Sequence, residues 1–218
     1  MTMHRVFTTT VFVLFTGLAA VFPAVADTGP AEFVQTLGNE ALGVIRADMP
    51  PAQKQAFFHQ LLHQDFDLPG ITRFVLGPYW RVASEPERQE FRSLFEEYIV
   101  RVYSERFAQY RGEALRVTGS RSDPEGAIVT SEIIRPQGAP PIKVDWRLSA
   151  RDGLYKISDV IIDGVSMRTS ERSEFASVIQ RSGGQMPGLL AMMRENAAPT
   201  SAPYAALPPG AAGTLPPR

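Results

Sequence analysis

After Gly112 the apolar period of this chain changes from 3.6 residues to 2, and from about Ser170 it changes back. A chain that runs helices, then strands, then helices cannot form an alternating βαβ layer, so the order predicts an α+β fold. In the middle block Leu115 and Val117 alternate with polar neighbours, and Ala127 to Ile134 is rich in β-branched residues. Ile142, Val144, Trp146 and Leu148 alternate with Lys143, Asp145 and Arg147, and Asp152-Gly153 is a hairpin signal leading into Leu154 to Ile162, which Gly164 ends. Four strands joined by short turns predict an antiparallel meander.

The flanking blocks read as helices. Pro30 to Met49 carries Phe33, Leu37, Ala41, Val44 and Ile45 at helical spacing and stops at Pro50-Pro51. Pro51 to about Gln64 follows, and Asp67 is placed to cap a short helix that Gly77-Pro78 ends. A long helix is expected from Glu85 to about Tyr110, announced by the capping box Ser84-x-x-Glu87. Its apolar residues, from Phe91 through Leu94, Phe95, Tyr98 and Val102 to Tyr110, fan over roughly 220°, wider than the stripe of about 100° that one packing partner needs. Such a helix is either central or lines something that is not protein. After the sheet, helices are expected from about Ser170 to Arg181 and, past Gly183-Gly184, from Pro187 to Glu195.

Arg5, the apolar run Val6 to Val21 and Ala24-Val25-Ala26 have the form of a cleaved export signal, residues 1–26. The run falls short of the ~20 residues of a membrane span. A periplasmic location is therefore expected for a Gram-negative source. The Ala/Pro/Gly-rich stretch 197–218 has few large apolar residues and reads as a disordered tail, leaving 27–196 as the folded body. With no cysteine, stability must come from a core, and a net charge of −1 argues against nucleic acid as a partner.

Catalytic patterns are scarce. His59 and His63 have the i, i+4 spacing of zinc ligands, with Asp65 or Asp67 as a third candidate, but the motif His-Gln-Leu-Leu-His lacks the general-base glutamate. Two solvated histidines are the simpler reading, with no metal and no cofactor. Asp159 and Asp163 fall on one side of the last strand and offer a carboxylate pair; ordinary turn and surface roles are the alternative. There is no nucleophile elbow and no phosphate loop. What remains is a surplus of apolar and aromatic residues, which suits a filled core or an apolar ligand pocket.

Val75-Leu76-Gly77-Pro78-Tyr79-Trp80-Arg81, then Ser84-x-x-Glu87-Arg88-x-x-Phe91, Val100-Arg101-x-Tyr103 and the hairpin Trp146 to Tyr155, resemble the MlaC family of periplasmic phospholipid-binding proteins, also called toluene-tolerance Ttg2D proteins. The likeness continues through Ile157 to Met167 and Arg172-Ser173-Glu174-Phe175 to Gly183-Gly184. Family members usually carry a basic or small residue where Pro78 stands, and often a tryptophan near Tyr155. The resemblance implies an NTF2-like curved antiparallel sheet with helices on its concave face, plus a helical subdomain. It implies a carrier, not an enzyme, that encloses acyl chains and exchanges phospholipid with an outer-membrane lipoprotein complex and an inner-membrane ABC transporter bearing an MCE-domain subunit. One branch accompanies hopanoid biosynthesis, so a polycyclic lipid is an alternative cargo. On this reading Leu94, Phe95, Tyr98 and Val102 face Val144, Trp146, Val160 and Ile162 across the pocket. Tyr79, Trp80, Val165 and Met167 lie near its mouth or join the two parts, and Arg81 and Lys143 are candidates to approach a phosphate. The rivals are an NTF2-like enzyme using Asp159 and an interaction module with no small ligand.

Overall fold

The computed structural model describes residues 29–107, 110, 112–151 and 153–197. The expected export signal and nearly all of the Pro/Ala-rich tail lie outside them. Five helices come first: α1 (Pro30–Arg46), α2 (Pro51–Asp65), α3 (Leu68–Leu76), the single turn α4 (Tyr79–Val82) and α5 (Glu85–Phe107). The sheet follows, with β1 (Ala114–Asp123), β2 (Gly126–Ile134), β3 (Ile142–Arg151), β4 (Leu154–Ile162) and the short β5 (Val165–Ser166). Helices α6 (Met167–Arg181) and α7 (Met186–Ala197) close the described chain.

The strands run in the order β1-β2-β3-β4-β5, every neighbouring pair antiparallel, so the α+β class holds. Register shifts at Val117/Gly119 and Arg147/Leu148 are bulges, which bend a sheet and raise its local twist. Gly164 does not simply stop the last long strand. Asp163 and Gly164, at φ 47° and 85°, form a two-residue turn that pairs Val165 with Ile162 and makes a fifth strand.

Local chemistry explains most boundaries. Asp67 accepts from the backbone N–H of Gly70 and opens α3; Gly77, at φ 54°, ends it. The capping box forms, with the Ser84 backbone N–H donating to Glu87 at 2.8 Å and the Ser84 hydroxyl donating to the same carboxylate at 2.7 Å. Helix α6 begins at Met167, earlier than its apolar spacing suggests, because Ser166 accepts from the Thr169 N–H and caps it. The turn α4 has too few residues to show a period.

Helix α1 crosses β1 and β2, while α2, α3 and α6 meet the sheet along β4. Gly38 permits the first of these contacts, since a Cβ there would collide with Leu115. Helix α5 packs against α2, α3 and α7. Two apolar clusters result. A helical cluster is built on Phe91, Phe95, Tyr98, Phe175, Ile179, Leu189 and Met193; a sheet cluster is built on Val34, Leu37, Val129, Leu148 and Ile157. Phe66 packs against both.

Candidate functional site

The wide helix turns out to be central. Phe91 and Val100 lie about 180° apart at 100° per residue, yet both are buried, so α5 is enclosed from opposite sides. Phe91, Phe95 and Tyr98 meet one ring, Phe175 of α6, at centroid distances of 5.8, 6.3 and 5.9 Å in edge-to-face geometry. That arrangement satisfies the aromatic quadrupoles and fills the space between helices. Leu94 and Val102 are half-buried on the same cluster, as are Tyr79 and Trp80.

On the sheet, Val129, Trp146 and Val160 stand directly opposite one another on β2, β3 and β4. Val129 is fully buried, whereas Trp146 and Val160 are half-buried. The indole N–H of Trp146 donates to Ser131 at 2.9 Å, and that hydroxyl donates to the Val144 carbonyl at 3.2 Å. The tryptophan is thus fixed in orientation while part of its face remains uncovered. Val144 is buried and Ile162, its partner on β4, is half-buried. Val165 is half exposed at the sheet edge, and Met167 is half-buried in the first turn of α6.

The expected wall residues therefore fall into two groups that the structure does not merge. Leu94, Phe95, Tyr98 and Val102 belong to the helical cluster, and Trp146 and Val160 to the sheet cluster. Phe66 is the seam. It makes a parallel bridge to Ile157, and the next residue, Asp67, donates its N–H to the Ile157 carbonyl at 2.9 Å. Sequence reasoning missed Phe66 because it follows the last residue of α2 and belongs to neither apolar period.

The carboxylate pair does not form. Asp159 is buried on β4, where it accepts from the Ser166 hydroxyl at 2.6 Å and the Arg168 N–H at 3.2 Å and pairs with the Arg168 guanidinium at 3.4 Å. These contacts tie β4 to the cap of α6. Asp163 sits exposed in the β4–β5 turn and accepts from the Lys143 N–H at 3.1 Å. His63 pairs with Glu96 of α5 at 2.8 Å, and no cluster of three metal-ligating side chains occurs among the described residues. Burial raises the carboxyl of Asp65 above its ordinary range; Lys156 opposes the rise and Glu40 adds to it. Lys143 faces Asp145 on the sheet, whereas Arg81 lines a cleft beside Trp80, so these two cations do not share a site. No helix among the described residues is long and apolar enough to cross a membrane.

Known proteins place this architecture. Over 200 residues the chain is 23% identical to the intermembrane phospholipid transport system binding protein MlaC of Haemophilus influenzae, covering 88% of this chain and 92% of that one. It is 26% identical over 178 residues to toluene tolerance protein ttg2D of Pseudomonas putida, covering 78% and 82%. A phospholipid-binding protein of Ralstonia solanacearum, solved in complex with a phospholipid, has the same fold, with a TM-score of 0.64, 23% identity and coverage of 76% of this chain and 95% of that one. The MlaC protein family model matches residues 35–195, nearly all of the described body, and the chain belongs to that family.

Proposed function

We propose that this protein is a periplasmic phospholipid carrier whose acyl-chain site opens along the seam at Phe66, between the helical and sheet clusters. The observation that carries the reading is that Trp146, oriented by its hydrogen bond to Ser131, and Val160 stay half-buried beside fully buried Val129, while Phe66 packs against both clusters. Transfer of acyl chains into such a seam is favourable by about 0.8 kcal/mol per CH₂, or roughly 12 kcal/mol for a sixteen-carbon chain. Escape into water costs the same amount, so release needs a docked acceptor. The acceptors and donors proposed are an outer-membrane lipoprotein complex and an inner-membrane ABC transporter with an MCE-domain subunit. The name of the Haemophilus relative and the lipid-bound Ralstonia structure support a lipid cargo. No bond is made or broken in this scheme, and the contacts of Asp159 give it a structural task that needs no substrate.

Gentle purification, solvent extraction and mass spectrometry test the reading. Stoichiometric phospholipid is the expected result. Hopanoid would change the cargo, and a protein that arrives lipid-free and takes none from phospholipid vesicles would overturn the carrier.

A further inference from the structure

At the corner where α3, α4 and α6 meet, a cleft of about 480 Å³ is lined by Arg73, Phe74, Gly77, Trp80, Arg81 and Arg172, with no carboxylate in its wall. The volume falls within the range of small-ligand sites, about 300–1,000 Å³. The chain as a whole carries a net charge of −1, so three arginines converging here are not a consequence of bulk composition. Nor are they neutralised locally. Arg88 and Arg92 pair with Glu85, and Arg168 with Asp159, but no ion pair engages Arg73, Arg81 or Arg172 among the described residues.

The cleft is also held in shape. The Arg172 guanidinium lies over the Phe74 ring at 5.2 Å, and Arg168 stacks on the same ring at 4.4 Å. Trp80 is stacked by Arg88 at 5.5 Å and Arg92 at 5.1 Å, and the Arg88 Nε–H donates to the Trp80 carbonyl at 2.8 Å, fastening α4 to α5. Gly77 completes the fit: a Cβ there would come within 2.8 Å of Arg172 Nε, so a larger residue would push that guanidinium from its place across the turn. Guanidinium groups present planar forked donors that match phosphate oxygens, and stacking on rings lowers the entropy lost when they bind.

We infer that this cleft binds a phosphate-bearing anion through Arg73, Arg81 and Arg172. The anion is the phosphodiester of a bound lipid or a free phosphate. The lipid-borne form rests on the carrier reading; the free form does not.

The test is a titration of inorganic phosphate into the purified, delipidated protein, matched in ionic strength with chloride, following the arginine side-chain Nε–Hε resonances. Saturable shifts confined to Arg73, Arg81 and Arg172 are expected. The R73Q/R81Q double variant, which alters exposed and unpaired side chains, should weaken binding by about tenfold or more. Arg116→Gln, at a paired arginine on β1, should leave it unchanged. Linear shifts, shifts equal to those with chloride, or undiminished binding by R73Q/R81Q would overturn the site. Repeating the titration after loading from phosphatidylglycerol/phosphatidylethanolamine vesicles separates the sources. Loss of phosphate binding upholds the site with a lipid headgroup in it, and retention upholds it for a free phosphate. A protein that takes no lipid from the vesicles but still saturates with phosphate refutes the carrier and leaves the cleft standing.

Discussion

The helical and sheet halves of this molecule bury their apolar residues by different means. In the helical half, Phe91, Phe95 and Tyr98 close on Phe175 with ring edges against faces, and buried Thr72 bonds to its own helix at the Leu68 carbonyl. In the sheet half, Ser131, Ser149, Ser158 and Asp159 are all buried, and each has a hydrogen-bond partner. A ring cluster gains stability from close packing and tolerates little rearrangement. A hydrogen-bonded sheet keeps its shape without a tight side-chain lid, so it can leave Trp146 and Val160 half covered. The helical half thus holds the fold, and on the proposed carrier reading the sheet half contributes the less covered wall.

The largest expected effect tests the first part of that contrast. Phe175→Ala removes the ring on which three others converge and should cost about 3–5 kcal/mol, read from the denaturant midpoint. Lipid content per folded molecule should change little, and a parallel loss of lipid would show that the site reaches the rings around Phe175 and is not confined to the seam at Phe66. Asp159→Ala should come next, at about 3 kcal/mol, because it leaves Arg168 without its buried partner. The same variant should leave vesicle-to-vesicle lipid transfer intact at temperatures where it is folded. Abolished transfer would give Asp159 a functional role.

Trp146→Arg probes the other half. The site is half-buried, so the stability loss should be smaller than for Phe175→Ala, while extracted lipid should fall several-fold. Equal loss of lipid and of soluble protein would mark Trp146 as core only. The smallest effect belongs to the capping box, on the exposed start of α5. Ser84→Ala should cost about 1 kcal/mol. Hydrogen bonds from Ser84 hold the Glu87 carboxyl below its ordinary range, so its folded-state value lies below its unfolded one. That contribution is present above the ordinary carboxylate range and is lost as pH falls through the folded value. Ser84→Ala should therefore flatten the acid limb of the stability profile, and an unchanged limb would show that other carboxylates set it.

Much of the fold was legible because its signals are local. Asp67, Ser84 with Glu87, Gly77 and Gly183-Gly184 mark helix ends through backbone geometry that neighbouring residues alone decide. The change of period at Gly112 separated helices from sheet for the same reason. The candidate site was less legible. Apolar spacing identified Phe95 and Trp146 as residues that turn inward, but it carries no information about which interior each one enters. The cleft was the least visible: Arg81 was a phosphate candidate, but Arg73 shares no motif with it and Arg172 lies on a distant helix that only the fold brings beside them.

The sequence by itself determined the α+β order, the antiparallel meander and the positions of most caps, since period, turn chemistry and capping act over a few residues. It also determined that α5 would be apolar on most of its circumference. Only the tertiary structure decided what that circumference meets: three helices and the Phe175 ring, with the sheet met by α1 on β1 and β2 and by α2, α3 and α6 along β4, and the two clusters joined at Phe66. The reason is physical. Hydrophobic burial is non-directional, so it fixes that a residue is removed from water, while shape and chain connectivity choose its partner.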